Sequence, residues 1–217
     1  FFFLSSFARS KENIIMAEYI DEVEKTMDSL LALSSSDDGW KFVETKNGVD
    51  IHKKEVEGSA IVMMRGRTDI NATADEVLKC TEDLDARAKW DELFIKGSVI
   101  QDIDETHQVI HFQFKSPSMM VTNRDFVMAR AVRRLEDGTI LSNHRSVVHP
   151  DCGDCKGFVR GDVFESGYYI KPNGNGGCTV VYVVQIDPKG WIPTAIVNMV
   201  AKKQPLVLAK MKDHLKN

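Results

Sequence analysis

The sequence predicts one α+β domain, an antiparallel sheet curved around a long C-terminal helix. Three observations carry this. Helical apolar spacing marks both ends of the chain, a run of short strands separated by turn residues fills most of the middle, and one helical stretch interrupts the strands. At 217 residues and 43% hydrophobic, the chain can bury one sizeable core and fits a single domain.

Taken in order, Ile20, Val23, Met27, Leu30 and Leu31 recur at helical spacing between Ala17 and Leu33, with acidic residues between them. "SSSDDG" ends that helix. "WKFVETKNGVDIHKKEV" then predicts a hairpin, because Asn47-Gly48 suits a two-residue turn with positive φ, and "AIVMMRGRTDI" adds a third strand. "NATADEVLKCTEDLDARAKW" opens with Asn71 or Thr73 as cap and sets Val77, Leu78, Leu84 and Trp90 on an apolar side, so a helix in two pieces is expected. After Trp90 come six or seven strands, broken at Asp104-Glu105, Ser116-Pro117, Asp137-Gly138, the loop 149–157, Ser166-Gly167 and "NGNGG". The last segment, from Thr194 to Leu215, carries Ile196, Val197, Val200, Leu208 and Met211 at helical spacing. Pro205 removes a backbone donor within it and should kink or divide it. Between that helix and the sheet there is room for a cavity.

Residues 1–16, "FFFLSSFARSKENIIM", are expected to be a disordered tail ahead of a domain over 17–217, with Met16 as the natural start. Four leading apolar residues are too few for a secretory signal, and a weak presequence is the alternative. No apolar run reaches the ~20 residues of a membrane helix. A net charge of −4 argues against general nucleic-acid binding. Cys80, Cys152, Cys155 and Cys178 are expected as free thiols in a reducing compartment. Cys152 and Cys155 form a Cys-x-x-Cys beside His149, Asp151 and Asp154, but structural zinc takes two such pairs, and the stretch that follows reads as a strand where a redox motif needs a helix. A compact turn is the expectation, with no metal and no cofactor. "NGNGG" lacks the Gly-Lys-Ser of a phosphate loop and joins two strands, so a hairpin turn is expected. There is no Gly-x-Ser-x-Gly and no His-Glu-x-x-His, and Arg124-Asp125 alone makes no catalytic set.

In the strand around 124–132, alternation puts Phe126, Met128, Arg130 and Val132 on one face. An arginine among apolar neighbours needs a partner, which can be a carboxylate, a carbonyl, water or a ligand oxygen. The methionines, among them Met63, Met64, Met119, Met120, Met128 and Met199, fall in expected core segments and suit either an ordinary core or an adaptable cavity.

The segments "KWDE" (89–92), "NRDFV" (123–127), "EDGTILSN" (136–143), the "HP" to "GFVRG" stretch (149–161) and "IDPKGWIP" (186–193) occur in the order found in START domains, the steroidogenic-acute-regulatory-type lipid transfer family. The chain resembles that family over 17–216, and its sterol-carrier subgroups most. The resemblance implies a helix-grip fold around one lipid, with an entrance formed by the C-terminal helix and a loop. That loop is expected to be the cysteine stretch, so His149, Cys152, Cys155 and Pro205 are the expected gate. Carriers of this kind place an arginine at the position of Arg130, paired with an acidic residue of the preceding strand. Counting back without gaps reaches His111 instead. The ligand-binding residues expected on this basis are Arg130, His111, Phe126, Met128, Asn143, Val197 and Val200. The expected function is that of a soluble, cytoplasmic, monomeric carrier of a sterol or similar lipid, in transient contact with membranes and not an enzyme. Carriers of phospholipid, bile acid or carotenoid, a helix-grip cyclase or hydrolase, and a ligand-gated interaction module are the alternatives.

Overall fold

Tyr19, Val23, Met27 and Leu30 follow one another at helical-turn spacing and are all buried, so α1 (Phe2–Ser35) lies against the sheet along that stripe. The structure, a computed structural model, describes the backbone of residues 2–116 and 121–216, with side chains from Asn13 onward within those ranges. α1 is longer than the periodicity predicts, since apolar spacing reports only the part of a helix that packs. The backbone of residues 2–16, expected as a tail, continues the same helix.

Asn47 and Gly48 adopt φ of 52° and 73° and join β1 (Lys41–Lys46) to β2 (Val49–Lys54), the expected tight hairpin. After β3 (Met63–Ile70), Thr73 caps α2 (Ala74–Glu82) in a reciprocal box with Glu76, and Asp83 caps α3 (Leu84–Trp90), which gives the helix in two pieces. Seven strands follow: β4 (Phe94–Asp102), β5 (His107–Phe114), β6 (Asn123–Arg134), β7 (Ile140–Ser146), β8 (Phe158–Arg160), β9 (Asp162–Pro172) and β10 (Cys178–Asp187). The sheet order is β1-β2-β3-β10-β9-β7-β6-β5-β4, antiparallel along that path, and β8 adds to β6 in parallel. Of the expected breaks, Pro117 lies outside the described residues.

Ser166-Gly167 does not turn. β9 runs straight through it, and the glycine is needed for another reason: a Cβ there would stand 2.5 Å from Leu30 Cδ2, so its absence lets α1 approach the sheet. The chain breaks at Gly161 instead, splitting "GFVRGDVF" into β8 and the start of β9.

The sheet buries both faces. On its outer face Val127, Ala129, Leu141, Tyr169, Val181 and Val183 pack with the α1 stripe. On its inner face Met64, Ile140, Ile170, Val180 and Val184 pack with Leu208 and Met211 of the C-terminal segment. That segment is divided, as Pro205 predicts, into α4 (Thr194–Ala201), a 3₁₀ turn (Gln204–Leu206) and α5 (Val207–His214). Pro205 also wedges against β3, where a Cβ on Gly66 would come within 2.7 Å of its ring. No helix among the described residues is long and apolar enough to cross a membrane.

Candidate functional site

The cavity of interest lies between the inner face of the sheet and the C-terminal segment, with a volume of about 380 Å³. Small-molecule sites span roughly 300 to 1,000 Å³. Its floor includes Phe114, Phe126, Tyr182 and Ile186 of the sheet, and its roof is Ile192 with Ile196, Val197 and Val200 of α4. Leu93 and Lys210 stand at one side, and Thr122, Arg124 and Pro188 at another.

Two charged pairs border the cavity, exposed Lys210 with Glu92 and one that is buried. Arg87 and Asp91 are one helical turn apart on and just after α3, and the guanidinium donates through Nε and Nη2 to Asp91 Oδ2, both at 3.2 Å. Arg87 is 7% exposed, and the rings of Trp90, Phe94, Phe112 and Phe114 surround its guanidinium at 5.2 to 5.7 Å. Nearby, Tyr168 and Tyr182 stack with ring centres 4.7 Å apart, and the Tyr182 hydroxyl meets Ser166 Oγ at 3.3 Å. Burial pushes the Tyr168 phenol well above its ordinary value. His144, on the same face, is held down to about 3 by burial and then by the charges of Arg130 and Arg87, so it is a neutral imidazole at every physiological pH. The indole N–H of Trp90, Ser142 Oγ and the Tyr168 hydroxyl are buried without a protein partner.

Of the residues expected from sequence to touch ligand, Phe126, Val197 and Val200 line this cavity. Met128 packs beside Phe126 in the same apolar cluster, without lining the cavity. Arg130 is on the inner face but does not reach the cavity wall. It pairs in register with Gln108, donates to Gln108 Oε1 and lies 3.4 Å from Glu82 Oε1. The facing residue on the preceding strand is therefore Gln108 and not His111. The ungapped count misses it because register is set by the pairing of β5 with β6, not by loop length.

His111 and Asn143 fall on the outer face. His111 Nε2 meets Asp125 Oδ2 at 2.9 Å, and Asn143 donates to Thr26 Oγ1 of α1 at 2.8 Å. The cysteine loop is on that side too. His149 stacks on Tyr19 with ring centres 5.8 Å apart, Cys152 packs against the cluster under α1, and Cys155 Sγ accepts from Gln113 Nε2 at 3.0 Å. Arg160 fixes the loop through the carbonyls of Cys152 (3.3 Å) and Gly153 (2.9 Å). The loop expected as a gate thus stands across the sheet from the cavity, while Pro205 belongs to the C-terminal segment above it. Met119 and Met120 lie outside the described residues. Among the described residues, no group of three His, Cys, Asp or Glu could hold a metal ion.

Sequence reasoning missed most of the wall, Phe114, Arg124 and Ile186 as well as Arg87, Asp91 and Tyr182. A signal for Arg87 and Asp91 was present: Arg87 lies three residues from both Leu84 and Trp90, on the apolar side of α3, with an aspartate one turn on.

This architecture and its sequence have known counterparts. Residues 20–217 match the START domain. The chain belongs to the START family. Over 180 residues it is 32% identical to StAR-related lipid transfer protein 5 of Homo sapiens, covering 81% of this chain and 84% of that one. The mouse protein of the same name is 31% identical over 182 residues, 82% and 85% of the two chains. The solved structure of human StAR-related lipid transfer protein 5 superposes on this START domain with a TM-score of 0.85, at 28% identity over 92% of this chain and 97% of the other. Human STARD10 shares the fold at a TM-score of 0.80 and 24% identity, covering 88% and 78%. The expected α+β helix-grip architecture is thereby shown.

Proposed function

We propose that this START domain carries one lipid, a sterol or a molecule of similar rigidity, in the cavity between β-sheet and C-terminal segment. The observation that carries the reading is the cavity itself, about 380 Å³ in volume and walled mainly by Leu93, Phe114, Phe126, Ile186, Ile196, Val197 and Val200. Burying on the order of 400 Å² of apolar ligand surface supplies about 10 kcal/mol before the costs of ordering and opening. Polar groups then only orient the ligand. Arg87 and Asp91 are suited to that, because a ligand hydroxyl can donate to the carboxylate or accept from the guanidinium without leaving an unmatched charge.

The reading is of a carrier and not of an enzyme. Three charged groups of the wall already have partners: Arg87 has Asp91, Lys210 has Glu92, and Arg124 has backbone carbonyls. The lipid transfer in the names of its relatives agrees with this. The reading extends to a monomer in the cytoplasm, consistent with four unpaired cysteines, and to passing contact with membranes, consistent with Trp191, Ile196 and Met199 being exposed beside the cavity. The buried guanidinium favours one second reading, a phospholipid whose phosphate takes Arg87. Mass spectrometry of lipid extracted from the purified protein decides between them. One sterol per chain supports the first reading, one phospholipid supports the second, and an empty protein that takes up neither a fluorescent sterol nor a fluorescent phosphatidylcholine defeats both.

A further inference from the structure

α4 and the loop before it are the least anchored part of the cavity wall. Of the eight residues of α4 only Ala201 is buried, and no side chain caps its first turn. Its polar ties to the sheet side are those of Asn198, whose side chain bonds the backbone of Ala60 and Val62, both at 3.2 Å. Behind α4 the chain is broken at the Pro205 turn. Ahead of it, the loop 187–193 contains two consecutive residues of positive φ, Lys189 at 49° and Gly190 at 74°. The loop's Trp191 is 95% exposed. The loop's own tie to β9 is the half-exposed Lys189, whose Nζ lies 3.6 Å from Asp162 Oδ2, so a roof that is apolar inside and lightly packed depends on what its front edge adds.

Arg124 is at that edge. It lines the cavity from β6, donates through Nε to the Pro188 carbonyl at 2.7 Å and through Nη2 to the Lys189 carbonyl at 3.0 Å, and its Nη1 donates to the Thr122 carbonyl. One planar fork therefore ties the loop to the β6 side of the rim. A Cβ on Gly190 would lie 3.4 Å from Nη2, so the loop also sits directly on the guanidinium. Lysine cannot reproduce this, since its single nitrogen lacks the rigid fork that reaches several carbonyls at once.

We propose that Arg124 is the latch of the cavity, a positioning residue whose hydrogen bonds to Pro188 and Lys189 must break for the loop 187–193 and α4 to lift and a lipid to pass. The proposal rests on the carrier reading and adds what sets its rate. Because the latch bonds protein to protein, losing it raises the rates of both loading and unloading.

Arg124→Gln and Arg124→Lys are compared with the wild type and with Arg134→Gln, a control at an exposed position of the same strand that pairs with Asp75. The first measurement is amide hydrogen exchange of the protein without ligand. The amides of Lys189, Ile192, Ile196 and Val197, each hydrogen-bonded while the loop and α4 are in place, should exchange on the order of tenfold faster in Arg124→Gln, as expected for two lost charge-assisted bonds, with β9 and β10 amides unchanged and Arg134→Gln matching the wild type. Unchanged exchange in the loop overturns the latch. The second is stopped-flow uptake and release of a fluorescent sterol and, in parallel, of a fluorescent phosphatidylcholine. Both rates should rise in Arg124→Gln, with Arg124→Lys in between. A changed Kd at constant association rate would make Arg124 a ligand contact and overturn the proposal. If neither probe binds the wild type, the carrier reading falls for those lipids, while the exchange measurement still decides whether Arg124 holds the loop.

Discussion

Arg124 and Asp125 are consecutive residues that face opposite sides of the sheet and each fasten a different loop. Arg124 points inward to the carbonyls of Pro188 and Lys189, whereas Asp125 points outward, where its Oδ2 takes Arg160 Nη2 at 2.8 Å and Arg160 Nε at 3.0 Å. Strand alternation makes this unavoidable for adjacent residues, so the "RD" of "NRDFV" serves two faces at once. The same Asp125 oxygen also meets His111, and its carboxylate is 1% exposed.

Asp125→Ala should therefore act on the cysteine loop and not on the cavity. Breaking a buried pair costs about 3 to 5 kcal/mol, and with Arg160 29% exposed and able to rehydrate, a loss of about 2 kcal/mol is expected. Arg160 would no longer be held against the carbonyls of Cys152 and Gly153, so alkylation of Cys152 and Cys155 should accelerate while buried Cys80 and Cys178 stay slow. Cysteine labelling followed by mass spectrometry checks this, and equal labelling in mutant and wild type would contradict it.

Local signals made much of the fold readable. Asn47-Gly48, Thr73 with Glu76, and Pro205 each act through their own backbone, so turn, cap and break fell where the residues stand. Ser166-Gly167 was misread because a glycine required by close approach of α1 looks, in sequence, the same as one required by a turn. The site was legible only in part. Phe126 follows from strand alternation and Val197 and Val200 from helical spacing, but which loop reaches which face depends on long-range pairs such as Arg160 with Asp125 and Tyr19 with Val148, and no local spacing records those. Gln108 opposite Arg130 likewise becomes visible only with the β5–β6 register.

Glu165 lies under α1 at 6% exposure with Oε1 unpartnered, and burial, opposed by Ser29, Arg145 and Asn143, pushes its carboxyl up to about 7. A raised acid stays protonated in the fold while the unfolded chain ionises, so stability should be full below about pH 4.5, fall as pH rises towards 7, and level off above it. The shift corresponds to about 3 kcal/mol. Glu165→Gln should accordingly match the wild type at pH 4 and exceed it at pH 8, as read from urea midpoints. A mutant equally or less stable than the wild type at pH 8 would show that the carboxylate finds compensation in the fold.

Arg130 is already satisfied by Gln108 and Glu82, which makes its removal a matter of stability. Arg130→Leu should lower stability by about 1 to 3 kcal/mol and leave fluorescent-sterol affinity unchanged, since Glu82, at 33% side-chain exposure, recovers solvent while Gln108 loses its partner. Paired urea denaturation and equilibrium binding test this. The opposite pattern, weaker sterol binding at unchanged stability, would return Arg130 to the role of a ligand contact.

Membrane contact has a specific geometry to test. Trp191 is 95% exposed on the loop that Arg124 holds, Met199 and Ile196 are 57% and 43% exposed on α4, and Leu93 is 43% exposed across the cavity. Lys202 and Lys203 are exposed just beyond α4, within a chain of net charge −4. Amphipathic tryptophan favours the headgroup level of a bilayer, and each lysine near an anionic surface contributes about 1 kcal/mol. Trp191→Ala should weaken binding to vesicles containing phosphatidylserine by about 2 kcal/mol, roughly thirty-fold, with little dependence on salt, because that loss is apolar. Lys202→Glu with Lys203→Glu should weaken it most at low ionic strength and progressively less as screening grows. Trp191 and Lys202 are not in the cavity lining and Lys203 borders it with an exposed side chain, so transfer between vesicles should slow far more than equilibrium affinity for a fluorescent sterol changes. Transfer that is indifferent to salt, to vesicle charge and to Trp191 would show that this rim does not meet the membrane, and the lysines would then be a solvated face.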